Sequence, residues 1–234
     1  MSDQPIFEAE YVERHSRLTT FFRYLLAIPH FIVLMLWGIA AFVGLVVAWF
    51  ALVFTGRYPQ GLYDFLAGFL RYTTAVSGYL ALLTDEYPPF SGDTDGFPVR
   101  LQIPPPKPEY SRAKAALRLI LAIPPYIIAY AMALVWQLGS FIAWLVILVT
   151  GKLPRGLHDM IVLGLSYQQR AYAYFVLLTE DWPPFVDERT ALDRGPAGSS
   201  LPPAPATTAP PIAPERPAEP GDRSGLSGGD PLNP

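Results

Sequence analysis

Shifted by 95 residues, the sequence matches itself without a gap from Ser16 to Phe90. About a third of the aligned positions are identical. Leu26-Ala27-Ile28-Pro29 returns as Leu121-Ala122-Ile123-Pro124, and LLTDEYPPF (82–90) as LLTEDWPPF (177–185). Between them, Thr55-Gly56-Arg57-x-Pro59-x-Gly61-Leu62-x-Asp64 becomes Thr150-Gly151-Lys152-x-Pro154-x-Gly156-Leu157-x-Asp159. Composition alone scatters apolar matches; it does not produce such strings at one constant offset. The chain is therefore two copies of one unit, and each copy must bury its apolar surface against its neighbour or another apolar medium.

That medium is named by two stretches without charge, 31–54 and 119–149. Both exceed the roughly 20 apolar residues that carry a helix across a bilayer core of about 30 Å. Only 16% of the chain is charged, against about a quarter in soluble domains. The first 24 residues hold Glu8, Glu10, Glu13, Arg14, Arg17 and Arg23, too polar for a cleaved leader, so the first span reads as an uncleaved anchor. A net charge of −3 argues against a nucleic-acid partner. The absence of cysteine excludes disulfides, thiolate metal sites and cysteine nucleophiles.

Each copy reads alike. Ser16 and Ser111 are N-cap residues ahead of an apolar helix, and Pro29 and Pro124 mark a start or kink within it. The expected helices run over 24–55 and 61–83 in the first copy (18–90), and over 118–150 and 156–178 in the second (111–186). A cytoplasmic arm (1–17) precedes them. A Pro-rich linker (91–110) joins them, with a strand-like alternation at 97–103 that can pair with a weaker one at 6–11. Residues 187–234, rich in Pro, Ala, Gly, Ser and Thr, read as a disordered tail.

The second helices carry polar residues and either cross the bilayer or lie in its interface. Arg14, Arg17, Arg23, Arg100, Lys107, Arg112, Lys114, Arg118, Arg189 and Arg194 would share one side if every helix crosses, leaving Arg57, Lys152 and Arg155 on the other. Positive charge prefers the cytoplasm. The expectation is an all-α integral membrane protein of two parallel helical hairpins, four membrane helices, a small β piece outside the membrane, and cytoplasmic termini.

Ionisable groups at membrane depth are functional candidates: Asp64 and Arg71 in the first copy, and Asp159, Ser166 and Arg170 in the second, form a polar stripe. The plainer reading places Asp64 and Asp159 in first helical turns, near Arg57 and Lys152 in sequence. Gly44 with Ala48, and Gly139 with Ala143, are small-residue pairs along which the two long helices, or a second subunit, are expected to pack. Arg17, Arg23, Arg112, Lys114 and Arg118 are expected to meet anionic lipid headgroups. Tyr87, Phe90, Trp182 and Phe185 form an interfacial aromatic belt. The adjacent carboxylates Asp85-Glu86 and Glu180-Asp181 read as solvated caps, since His15, His30 and His158 do not accompany them as metal ligands.

The strings SRLTTFFRYLLAIPHFIVL, TGRYPQGLYDFLAGFLRY and YLALLTDEYPPF resemble the bacterial, largely actinobacterial, membrane proteins grouped as domain-of-unknown-function family 4389, over about residues 5–187. The resemblance implies a multi-pass membrane protein and transfers no activity, cofactor or catalytic residue. No phosphate loop, dinucleotide fingerprint, GxSxG elbow or HExxH string is present. The leading expectation is a non-enzymatic scaffold or lipid- or partner-binding component of the cell membrane, with the tail docking a protein partner. The alternative is a small-solute or ion transporter or channel, thin unless it forms a homo-oligomer.

Overall fold

A computed structural model describes residues 4–94 and 96–185. The expected tail at 187–234 lies outside the described residues. The order is β1 (Ile6–Ala9), α1 (Arg17–Leu26), α2 (Ile28–Thr55), α3 (Gln60–Leu80), β2 (Val99–Gln102), α4 (Arg112–Ala116), α5 (Arg118–Leu121), α6 (Ile123–Thr150) and α7 (Arg155–Phe175).

Local chemistry sets these boundaries. Ser16 and Ser111 cap α1 and α4, accepting from Thr19 N and Lys114 N. Pro29 and Pro124 sit at the second positions of α2 and α6, where a missing N–H costs nothing. The apolar helices thus begin at 28 and 123, with a short amphipathic lead-in ahead of each. Both long helices end on a glycine in the left-handed region, Gly56 and Gly151. The second helices stop three residues before the expected 83 and 178. There Leu82 and Leu177 take φ near +65°, with Leu83 N donating to Gly78 O and Leu82 N to Tyr79 O. This is a Schellman closure with leucine where glycine is usual, held because both leucines are buried.

Among the described residues, two helices are long and apolar enough to cross a membrane, Arg17–Thr55 and Arg118–Thr150; α3 and α7 are not. Both are core helices, lined by buried residues such as Leu66, Leu70, Ile161 and Leu165. The strand expectation holds as a two-stranded antiparallel ribbon, Phe7 opposite Leu101 and Glu8 opposite Arg100.

The copies are not parallel. Tyr58 and Tyr63, at the start of the first hairpin's return, donate to Val176 O and Leu178 O at the far end of α7. At the other end, His15 N donates to Gly151 O (3.0 Å) and Leu153 N to Glu13 O (2.8 Å), beside Asp85 at the close of α3. So α3 and α7 run antiparallel, and the second copy is inverted. The cause is the linker: residues 96–110 travel back along α3, Val99 against Gly78 and Pro104 O against Tyr63, to place Tyr110 N on Gly56 O (2.8 Å). The second copy begins at the end where the first hairpin turns.

The inverted copies exchange their lead-in helices. The Trp144 indole of α6 donates to Thr20 O of α1 (3.2 Å), and Trp49 of α2 to Ala115 O of α4 (3.0 Å). These are equivalent positions, so the exchange follows a pseudo-twofold relation.

Candidate functional sites

Three features stand out: a buried arginine at each end, a cleft in the first copy, and an apolar outer face.

Arg23 and Arg118 are buried, not turned toward lipid headgroups. On the amphipathic α1, the inward face is Thr20 and Arg23, so Arg23 points under the helix. Its guanidinium donates to Tyr79 O and, at 2.8 Å, to Thr84 O, and it pairs with Asp85. It also lies 4.4 Å from the Tyr79 ring centre. These carbonyls belong to the Schellman turn and its exit, so a cation satisfies the end of α3 where the helix dipole is negative. Asp85 also receives Ser16 N at 2.6 Å and meets His15 Nδ1 at 2.9 Å. Burial pushes the Asp85 carboxyl up, but His15, the Ser16 amide and Arg23 outweigh it and hold the group below its ordinary value. Arg118 repeats the ring and carbonyl contacts, 3.9 Å from the Tyr174 ring centre and donating to Thr179 O at 3.1 Å. Glu180 receives Ser111 N at 2.6 Å, with Lys107 at 3.8 Å. The paired carboxylates expected as solvated caps thus divide their work: Asp85 and Glu180 take the Ser16 and Ser111 amides, while Glu86 and Asp181 are exposed, Asp181 lying 3.8 Å from Lys107. The shared offset of Arg23 and Arg118, beside LLT(D/E), was the sequence signal for this pairing. Of the five basic residues, Arg17, Arg112 and Lys114 are exposed.

The polar stripe divides. Asp64 and Arg71 line a cleft of about 670 Å³ together with Trp37, Gly68, Asp93 and Arg100. Ser166 and Arg170 are instead buried, the Arg170 guanidinium 3.3 Å from Ser166 Oγ. Asp159 is exposed, beside His158. Neither aspartate lies in a first turn. Asp64 accepts from Gln60 at 3.0 Å, and Lys152 pairs with Glu13 at 2.8 Å because the inverted packing brings the N-terminal arm to that turn.

One substitution sets the two hairpins apart. Phe69 occupies the position of Gly164. A methyl at Gly164 would come within 2.6 Å of Met132 O and 3.0 Å of Trp136 N, so α6 and α7 touch backbone to backbone. In the first copy the Phe69 ring stands between the helices, over Gly38, and holds α2 off α3. The small-residue pairs serve the same hairpins. Gly44 faces Leu62 and Phe65 of α3, and Gly139 faces Met160 and Ile161 of α7. Each glycine thus packs within its own hairpin and not against the other long helix, because inversion places α3 and α7 in the centre.

The outer face is apolar. On α2 the buried positions His30, Ala41, Gly44, Ala48 and Leu52 form one stripe, and Met35, Ile39 and Phe42 lie exposed on the opposite one. On α6, Leu134, Leu138 and Phe141 do the same. The aromatic groups Tyr87, Phe90, Trp182 and Phe185 are exposed as well, with Phe90 stacked on His30 and Phe185 against Tyr167.

Among families, the model described as Domain of unknown function (DUF4389) matches residues 17–92 and again 112–187, two matches separated by the same 95-residue offset. No curated protein and no solved structure matches the chain.

Proposed function

We propose that this chain, which belongs to the DUF4389 family through both of its copies, is a non-enzymatic component of the cell membrane that binds lipid and presents a polar surface to a protein partner. The observation that supports this most is the exposed apolar face of α2 and α6, where large side chains such as Phe42 (68% exposed) and Leu138 (59%) have no protein cover. Soluble monomers rarely expose a contiguous apolar patch of this extent, and lipid is the medium that removes its cost. Arg17, Arg112 and Lys114, exposed beside that face, suit anionic headgroups. The same basic residues favour a cytoplasmic position for the N-terminal arm. The tail from 187 onward suits partner docking or spacing.

The test is flotation of the purified chain with liposomes. Co-flotation that strengthens with anionic lipid supports the reading. A chain that stays in the dense fraction, monodisperse without detergent, overturns it. A second reading is a solute path, favoured by the cleft with Asp64 and Arg71. Ion or solute flux in reconstituted liposomes, lost on Arg71→Leu, would establish that reading and displace the first.

A further inference from the structure

We infer that both copies lie on one leaflet, with α2 and α6 embedded along the membrane plane and neither crossing it. The inference rests on the membrane binding proposed above and adds its geometry.

Residues 4–15 run from Gln4, whose side chain donates to Trp182 O, to His15, whose amide donates to Gly151 O. They therefore travel from one end of the helical layer to the other. Residues 96–110 do the same in the opposite direction, from the close of α3 to Gly56. Within these segments lie the two strands. Their inward side chains are Phe7, Val99 and Leu101, all buried. Their outward partners are polar: Glu8 pairs with Arg100 at 2.5 Å and accepts from Gln102 at 2.8 Å. Among the described residues the sheet has two strands, so each has an edge that no described strand pairs.

If α2 and α6 crossed a bilayer, these segments would cross beside them. Two open strand edges and a Glu–Arg pair would then sit at hydrocarbon depth. Lipid does not accept this, because every exposed backbone N–H and C=O there lacks a partner.

The layers resolve the conflict. On α3, the residues facing α2 include Leu62, Phe65, Gly68, Phe69 and Tyr72. Gly78, on which Val99 of β2 rests, falls on the opposite side of the helix at about 100° per residue. The ribbon and α2 therefore cover opposite faces of α3. The pseudo-twofold gives α7 the same order with β1 and α6. The apolar faces of α2 and α6 thus look away from the ribbon. One side of the molecule is lipid-like along the whole of both long helices, about 42 Å each at 1.5 Å per residue, and the other is polar. α2 and α6 are themselves apolar, so the polar side is supplied by the ribbon layered over α3 and α7, and the assembly as a whole presents one lipid-facing and one water-facing side to a single leaflet. The amphipathic α1 extends the same surface with Leu18, Phe21 and Leu25 exposed.

The wild-type chain carries its own test. Its three lysines are Lys107, Lys114 and Lys152, and α6 separates Lys114 from Lys152, both exposed. Sealed right-side-out and inside-out membrane vesicles would be treated with a membrane-impermeant amine reagent, and each lysine read by mass spectrometry. The inference expects Lys114 and Lys152 to react in the same vesicle orientation and to be protected in the other. Reaction in opposite orientations means that α6 crosses, and overturns it. The first hairpin is read with the single-cysteine variants Gly61→Cys and Glu86→Cys, made on a chain with no cysteine of its own. A side chain at Gly61 meets nothing within 4 Å, so folding is spared. Both sites should react with an impermeant maleimide from the same side; opposite sides refute the in-plane arrangement. A chain absent from the membrane fraction would sink the proposed function itself, a different failure from split labelling.

Discussion

Replacing Arg23 with methionine tests whether a buried cation, and not lipid contact, is the purpose of the basic residues in the lead-in helices. Arg23 is 1% exposed. The substitution strips charged donors from two carbonyls, Tyr79 O and Thr84 O, each such bond being worth about 1.5–3 kcal/mol. The pairing with Asp85 adds little, because that side chain is 27% exposed and keeps His15 and the Ser16 amide; a partly screened pair contributes roughly 0–1 kcal/mol. The methionine side chain returns about 1–2 kcal/mol by burial. The net loss is about 3 kcal/mol, a fall of roughly 6–12 °C in Tm for a chain of this size. Thermal unfolding in mild detergent, followed by circular dichroism, reads it. Lys114→Met, at an exposed site, should stay within about 0.5 kcal/mol of wild type. If Arg23→Met shifts Tm no more than Lys114→Met does, Arg23 does not close α3 and the capping argument fails.

The Asp85 carboxyl sits below its unfolded value of 3.8, so its stabilisation is present above that pH and is lost as the pH falls further. Acid unfolding should flatten below about pH 4 in Asp85→Asn, and an unchanged acid limb would count against the pairing. Gly164→Ala and Gly68→Ala should move stability in opposite directions. Alanine gains about 1 kcal/mol of helix propensity at either site. At Gly164 the new methyl meets backbone at 2.6 Å, and overpacking of about 1–3 kcal/mol outweighs the gain. At Gly68 the nearest atom is a Trp37 ring carbon at 3.6 Å, so the gain survives; equal shifts in Tm would refute the asymmetry of the hairpins.

The repeat, the helix pairs and the ribbon were legible because each rests on local chemistry: caps at Ser16 and Ser111, prolines 29 and 124, and alternation at 97–103. The orientation of the copies was not. An internal repeat fixes what each unit is, and leaves open whether the linker returns to the starting end or crosses to the far one. Only pairings such as Tyr63 with Pro104 O and Leu178 O decide this, and none shows in a single chain's periodicity. The sidedness argument from lysine and arginine shared the fault, since it counted Arg23 and Arg118 as free surface charges. Arg23's burial follows from the helical face it occupies, with Thr20 beside it, opposite the exposed stripe of Leu18, Phe21 and Leu25. The difference between the two hairpins turned on residues outside the polar stripe, Phe69 and Gly164, whose effect lies in the spacing of backbones.

The exchange of lead-in helices carries a last consequence for how the two copies depend on each other. Trp49 finds its acceptor on α4, and Trp144 finds one on α1. The buried Tyr58 hydroxyl ends on Val176 O, and Ser140 Oγ on Ala81 O at 3.3 Å. Val99 fills the surface of α3 at Gly78. Each half therefore leaves the other with polar groups it cannot satisfy and an apolar stripe that lipid does not reach, at about 1–3 kcal/mol for each unmet buried group. Several such groups together exceed the margin of a typical domain, about 5–15 kcal/mol. Residues 1–94 and 95–234 expressed separately should each be degraded or aggregate, and co-expressed they should copurify and unfold in one transition. A first half that alone gives a monomer with a cooperative melt would show that the copies are independent hairpins, and that the exchange is contact without consequence.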